Sequence, residues 1–390
     1  MKPTRLENLR QGQSEGKPEI AATIEIEGER HEVWFRASQG PLASGPEPFL
    51  AATLVPAMRA GGPLEIPTAV SPKLLDSTDK IQEIFHCWYP DYKKIPIDAP
   101  GKPGGAPPDG RGVGCFFSGG VDSYYSVLRH QEEITTLILV HGFDIELENV
   151  ALRQRVTAMI REAAERLGKH LIEIETNLRD FCDAYANWPT HQFGAALAAV
   201  AMMLAPQLRK VYFPASLSYR DLTPCGSHPL IDPLWSTEEM EVILDGLAVT
   251  RLQKVARVAS SEVAMKSLRV CWENPEGAYN CCKCEKCLRT MIELQIHDAL
   301  HKCTAFDHPL DLRRIARIDV TDKYHKIFVE ESLGAVEQTG KHPQLAKALR
   351  DALDRKYYRG LWRVGRWVVT KSKFLRSLYR WWRVSVLRQH

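Results

Sequence analysis

Residues 113–123 read VGCFFSGGVDS, an apolar run over 113–117 followed by Ser118-Gly119-Gly120-Val121-Asp122-Ser123. The run suits a short strand buried on both faces of a parallel sheet, and a helix is expected over 122–130. Between them, two glycines let the backbone turn tightly and present successive N–H groups. The hydroxyls of Ser118 and Ser123 add donors, and the following helix N-terminus adds positive potential. Such a turn is a cradle for phosphate groups.

Outward from this turn the pattern repeats. A second apolar run covers 136–140, and a helical stripe over 149–167 carries Leu152, Val156, Met159, Ile160, Ala163 and Leu167 before Gly168, a C-cap. Further runs at 171–174 and 210–214 flank an alanine-rich helical segment, 193–205. Strands alternating with helices imply an α/β fold with a doubly wound parallel sheet, whose ligands bind beyond the C-terminal ends of the strands. The segment has neither the Gly-Lys-Ser/Thr of a Walker A loop nor the G-x-G-x-x-G of a dinucleotide fingerprint. An ordinary strand-to-helix connection is the plainer alternative; the hydroxyls and the acid around both glycines favour the cradle.

Four of ten cysteines fall as Cys271-x9-Cys281-x2-Cys284-x2-Cys287. Thiolates two residues apart can hold one ion from a tight turn, and a fourth from upstream completes a tetrahedral, structural zinc site. Cys282 could replace Cys281, and an iron–sulfur cluster is the alternative occupant.

The SGGVDS segment resembles the PP-loop of the ATP pyrophosphatases, or adenine nucleotide alpha hydrolase-like proteins, which cleave ATP between its α and β phosphates. The resemblance implies a PP-loop/HUP-like sheet. It also implies that Ser118, Gly119, Gly120, Val121 and Ser123 hold pyrophosphate, that Asp122 helps hold Mg²⁺, and that His141, Gly142, Phe143 and Asp144 contact adenosine. Together, loop and cysteines are similar to the 7-cyano-7-deazaguanine synthases, where an upstream cysteine joins a C-G-x-C-x-x-C turn on zinc before a basic helix. Here the turn reads Cys281-Cys282-Lys283-Cys284-Glu285-Lys286-Cys287, with Cys282 where that family has glycine. The similarity covers roughly 113–294, about half the chain. The segment 216–237, SLSYRDLTPCGSHPLIDPLWST, departs from it, so chemistry rather than substrate is carried over.

Arg251 and Lys254 stand three residues apart on one helical face, placed to stabilise charge on departing pyrophosphate; a solvated helix face is the bland alternative. His191, His228 and Asp232 are candidates for shaping the acceptor site or moving a proton, against simple roles in loop structure.

The chain has 390 residues, 44% of them apolar, and a net charge of +3. A β-rich N-terminal domain is expected over 1–97, with strand alternation from 19 to 37, and a Pro/Gly linker over 98–112. The ATP pyrophosphatase domain then spans 113–300, a helical extension 301–354 and a basic aromatic tail 355–390. No run reaches membrane-spanning length. The tail holds 11 of the 51 Lys and Arg and no acid, leaving 40 basic against 48 acidic residues elsewhere. Its aromatics, Trp362, Trp367, Trp381 and Trp382 among them, favour a basic amphipathic helix. Three destinations are open to it: the acidic body, an anionic membrane surface, or RNA.

These features imply a cytoplasmic enzyme, peripheral at the inner membrane surface if the tail binds there. It would use ATP, Mg²⁺ and structural Zn²⁺ to adenylate a carboxylate or carbonyl oxygen of a small-molecule acceptor. A nitrogen nucleophile, from free ammonia or a separate ammonia donor, then displaces AMP. Asp122→Asn is expected to spare folding and remove turnover. The alternatives are tRNA sulfur transfer through Cys225 and a module that binds ATP or AMP without turnover.

Overall fold

The apolar run before the glycines becomes the middle of the parallel part of a ten-stranded sheet. A computed structural model describes residues 1–102, 110–275 and 278–355. Its strands are β1 Thr4–Ser14, β2 Lys17–Ile26, β3 Glu29–Ala37, β4 Leu64–Glu65, β5 Ile97–Asp98, β6 Gly112–Phe116, β7 Thr136–His141, β8 His170–Thr176, β9 Leu208–Pro214 and β10 Glu241–Asp245. Their spatial order is β10-β9-β6-β7-β8-β3-β2-β1-β4-β5. From β10 to β8 every pairing is parallel.

The chain walks from β6 through β7 to β8 on one side, then returns to build β9 and β10 on the other. Strand order therefore reverses at β6 and β9, the place where sheets of this kind take ligands beyond the strands' C-terminal ends. The first six helices are α1 Glu47–Ala60, α2 Pro72–Trp88, α3 Val121–Arg129, α4 Val150–Leu167, α5 Leu178–Cys182 and α6 Phe193–Met203. The remainder are α7 Arg251–Val258, α8 Glu262–Ser267, α9 Glu285–Ile296, α10 Leu312–Ile315, α11 Lys323–Thr339 and α12 Pro343–Asp354. As the periodicity of 149–167 implies, α4 buries Leu152, Val156 and Ile160 and ends at Gly168, in the left-handed conformation at φ 65°.

Alternation along β6 divides two cores. Cys115 and Phe117 pack with α3, α4 and α7 on one face of the sheet, whereas Phe116 packs with α1 and α6 on the other. A third cluster joins α9 to α10, α11 and α12, which are the helical extension.

The N-terminal segment is not a β-rich body set apart by a linker. It includes two long helices, and β3 pairs antiparallel with β8 through Phe35–Thr176, Arg36–Glu175 and Ala37–Ile174. Leu6, Ile24, Val33 and Phe35 share one apolar core with Ile174, Ala198 and Phe213. The reason is the outer edge of β8, which a strand must cover if it is not to remain an open template. Residues 103–109 of the Pro/Gly stretch, and the basic aromatic tail from 356 onward, lie outside the described residues. Among the described residues no helix is long and apolar enough to cross a membrane.

Because one core spans both parts, Phe35→Ala is expected to destabilise the whole chain by about 3–5 kcal/mol. Urea denaturation should show a single shifted transition; two transitions, with only the first displaced, would contradict the shared core.

Candidate functional site

Gly119 adopts φ +76°, a backbone region that side chains rarely enter, and its carbonyl accepts a hydrogen bond from the Arg269 amide at 2.8 Å. Gly120 is the N-cap of α3 and supplies no side chain to cap it. The first N–H groups of that helix, at Val121, Asp122 and Ser123, thus have neither an intrahelical acceptor nor a side-chain cap. Ser118 is exposed. The Ser123 hydroxyl is turned inward and donates to the Gly120 carbonyl at 2.9 Å, so it braces the turn rather than serving as a free donor. Val121 is buried in the core and offers only its backbone.

Asp122, in the first turn of α3, meets both sequence-predicted cations. Lys254 Nζ lies 3.2 Å from its Oδ1 and Arg251 Nη1 3.2 Å from its Oδ2. Lys254 and Arg251 are 1% and 6% exposed, which excludes the solvated-face alternative. Their helix is started by a capping box between Thr250 and Gln253, and packing of α7 on α3 drives both heads inward. Lys254 also donates to the carbonyl of Ala215, just past the end of β9, so the cation sits at the strand reversal. Burial pushes the Asp122 carboxyl up, but Lys254 and Arg251 outweigh it and hold it below the usual range.

Both Asp122 oxygens are therefore committed to cations, and a magnesium ion would have to displace one of them. Asp122→Asn would not spare folding either, because it leaves two buried cations short of their countercharge.

Sequence reasoning missed the partners on α9. Thr290 Oγ1 accepts from Arg251 Nη2 at 3.1 Å, and Glu293 Oε2 lies 3.2 Å from Arg251 Nε. The available signal was the spacing of Glu285, Arg289 and Glu293, four apart on a helix whose start the cysteines anchor.

The adenosine contacts implied by resemblance fare differently from the turn. His141 is 2% exposed and lies 3.0 Å from Thr157 Oγ1, whose hydroxyl donates to Glu173. His141 Nε2 must then carry the proton toward Thr157. Burial lowers its pKa to about 4 and leaves Nδ1 without a partner. Phe143 is buried against Trp188, at 4.8 Å between ring centroids, and Asp144 is exposed. Gly142, at φ +93°, is required by close packing, since a Cβ there would stand 1.9 Å from the Thr176 carbonyl.

His191, His228 and Asp232 form a separate group. His191 Nδ1 accepts from the Tyr92 hydroxyl at 2.9 Å, and His228 Nδ1 accepts from the Leu230 amide at 3.1 Å. Burial lowers both imidazoles, His191 to about 4. Asp232 is fully buried and accepts from Ser227 at 2.6 Å, and burial pushes its carboxyl up to about 7. None of their hydrogen bonds reaches Asp122, Arg251 or Lys254. Cys225 donates to the Ser227 carbonyl at 3.0 Å, and burial raises its thiol, opposite to what a sulfur carrier needs.

The four expected cysteines converge. The sulfurs of Cys271, Cys281, Cys284 and Cys287 all lie within 4.8 Å of one another, with Cys281–Cys287 at 3.8 Å and Cys284–Cys271 at 4.0 Å. A tetrahedral ion with metal–sulfur bonds of about 2.3 Å sets its sulfurs about 3.8 Å apart. The cluster therefore fits a single ion such as zinc, and is too tight to enclose several irons with bridging sulfides. Amides of Lys283 and Cys284 donate to Cys281 Sγ, as suits a thiolate. Cys282 is excluded: its φ is +55° and its thiol approaches Asp307 at 3.5 Å. The Asn280 side chain ties the turn to the irregular segment after α8, accepting from Val270 and Cys271 and donating to Leu268.

Comparison with protein-family models, curated proteins and solved structures found no match for this chain.

Cys284→Ser should abolish stoichiometric metal binding and lower thermal stability, whereas Cys282→Ser should keep one metal per chain; elemental analysis of the purified variants checks this. Asp232 gives a pH signature. Its carboxyl titrates near about 4 when unfolded and about 7 when native, so the folded state keeps its proton longer. Stability attributable to this group falls as pH rises from about 4 to about 7 and is level above. Asp232→Asn removes that loss and is expected to be more stable than the parent by roughly 2–4 kcal/mol at pH 8, with little difference at pH 4, in urea titrations.

Proposed function

We propose that the chain is a PP-loop enzyme of the ATP pyrophosphatase type, binding ATP at the glycine turn and adenylating a carboxylate or carbonyl oxygen of an acceptor. Pyrophosphate is released, and a nitrogen nucleophile displaces AMP. The observation that carries this reading is an uncapped helix N-terminus behind a glycine turn, at the strand reversal, with two buried cations fixed beside it.

The chain's own groups supply binding and charge stabilisation. Backbone N–H groups at 121–123 and the Ser118 hydroxyl suit phosphate oxygens, while Lys254 and Arg251 Nη1 stand beside them on the Asp122 carboxylate. Because Arg251 and Lys254 are already ordered, they can stabilise departing pyrophosphate without rearranging at the moment of reaction. When bound, Mg²⁺ would neutralise phosphate charge, and Zn²⁺ on the cysteines would fix the segment that docks on the turn.

Phosphorus NMR of the protein with ATP and Mg²⁺, with and without a small-molecule cell extract, tests this. Extract-dependent AMP and pyrophosphate are expected, falling about 10²- to 10³-fold in Asp122→Asn at a temperature where that variant is folded. ADP and phosphate would overturn the mechanism, and unchanged ATP would overturn small-molecule turnover in favour of binding alone.

A further inference from the structure

Helix α9 begins at the metal cluster and ends against the anion site. Cys284 is its N-cap and Cys287 lies in its first turn; Thr290 and Glu293 follow further along the helix. Arg251 is held on three sides by Asp122, Thr290 and Glu293. Glu293 is 1% exposed; neither its oxygens nor Arg251 Nε completes a well-directed hydrogen bond, so charge attraction across 3.2 Å rather than a directed bond joins the two. The charges that face it are Arg251 from α7, Arg289 and Glu285 from its own helix, and Glu331 from α11. Phe328 of α11 closes the enclosure, with its ring 5.9 Å from the Arg251 guanidinium carbon and 4.0 Å from that of Arg289.

A buried carboxylate behind a buried arginine does more than balance charge. A guanidinium is planar, and fixing its Nε edge determines where the opposite Nη edge points. Here Nη1 points at Asp122, one residue beyond Val121 of the glycine turn, and Nη2 at Thr290. Without Glu293 the head keeps Asp122 and Thr290 but loses the charge on its Nε side, and less negative charge offsets the repulsion between Arg251 and Arg289.

We propose that Glu293 is a positioning residue, whose charge beside Arg251 Nε keeps the guanidinium turned so that Nη1 faces an anion bound at the glycine turn. This rests on Arg251 belonging to the anion site described above.

The test uses the full chain and titrates inorganic pyrophosphate with Mg²⁺ by calorimetry. Glu293→Ala is expected to weaken pyrophosphate binding about tenfold or more, and Glu293→Gln, which keeps an oxygen beside Nε but not the charge, to restore only part of it. In an Arg251→Ala background, Glu293→Ala should have no further effect. The NMR signal of the Arg251 Nε–H, independent of any ligand, should be protected from exchange in the parent and in Glu293→Gln and lost in Glu293→Ala. Parent-like binding by Glu293→Ala, or an unchanged Nε–H signal, overturns the proposal and leaves the anion site standing. Absence of pyrophosphate binding by the parent overturns the site, and the positioning role with it. If Glu293→Ala does not fold, Glu293→Asp decides: it keeps the charge and withdraws the acceptor by one methylene. Weaker binding then supports the role, and parent-like binding overturns it.

Discussion

Arg251 and Lys254 have almost no solvent contact; both meet Asp122, and Arg251 also meets Glu293. Removing an ion from water costs several kcal/mol unless partners replace the lost solvation, so every element near these cations must contribute one. Helix α3 brings Asp122, the residue after β9 brings the Ala215 carbonyl, and α9 brings Thr290 and Glu293. Three helices and a strand end are thereby drawn to one point at the reversal of strand order. A parallel sheet takes its ligands there, beyond the strand ends, so the charges could be gathered without breaking a core.

The cysteine cluster reaches the same point by two routes. Upstream, Arg269 donates its backbone N–H to the Gly119 carbonyl and its guanidinium to the Cys271 carbonyl, so the segment carrying the first thiolate lies directly on the glycine turn. Downstream, the helix that starts at Cys284 delivers the partners of Arg251. A closed tetrahedral thiolate site has no chemistry of its own to offer, but an ion held there would stiffen both segments that reach the glycine turn and Arg251.

The parallel strands, the long helix ending at Gly168 and the four thiolates were legible because each depends on local pattern: apolar period, a C-cap glycine, and spacing of cysteines. Choosing Cys281 over Cys282 needed the fold, because only backbone conformation shows Cys282 in the left-handed region that glycine usually occupies. The pairing of β3 with β8 was not legible, since strand alternation over 19–37 says that a strand has one buried face and not which sheet it joins. Glu293 and Thr290 were hidden for a related reason: their partner lies about 40 residues away on another helix, and the four-residue spacing of Glu285, Arg289 and Glu293 marks a charged helix face without saying that it is buried. His141 and Phe143 looked like ligand contacts by position alone, and packing of α4 and the Trp188 ring took them into the interior.

The antiparallel seam between β3 and β8 imposes an order on biosynthesis. The first three strands can zip into a meander as soon as residue 37 is free, but the partner of β3 ends at Thr176, about 140 residues later. At translation speeds of about 5–20 residues per second, the outer edge of that meander waits roughly 7–28 s on the ribosome before its native neighbour arrives. During that interval the edge of β3 that pairs with β8 in the folded chain has no native strand beside it.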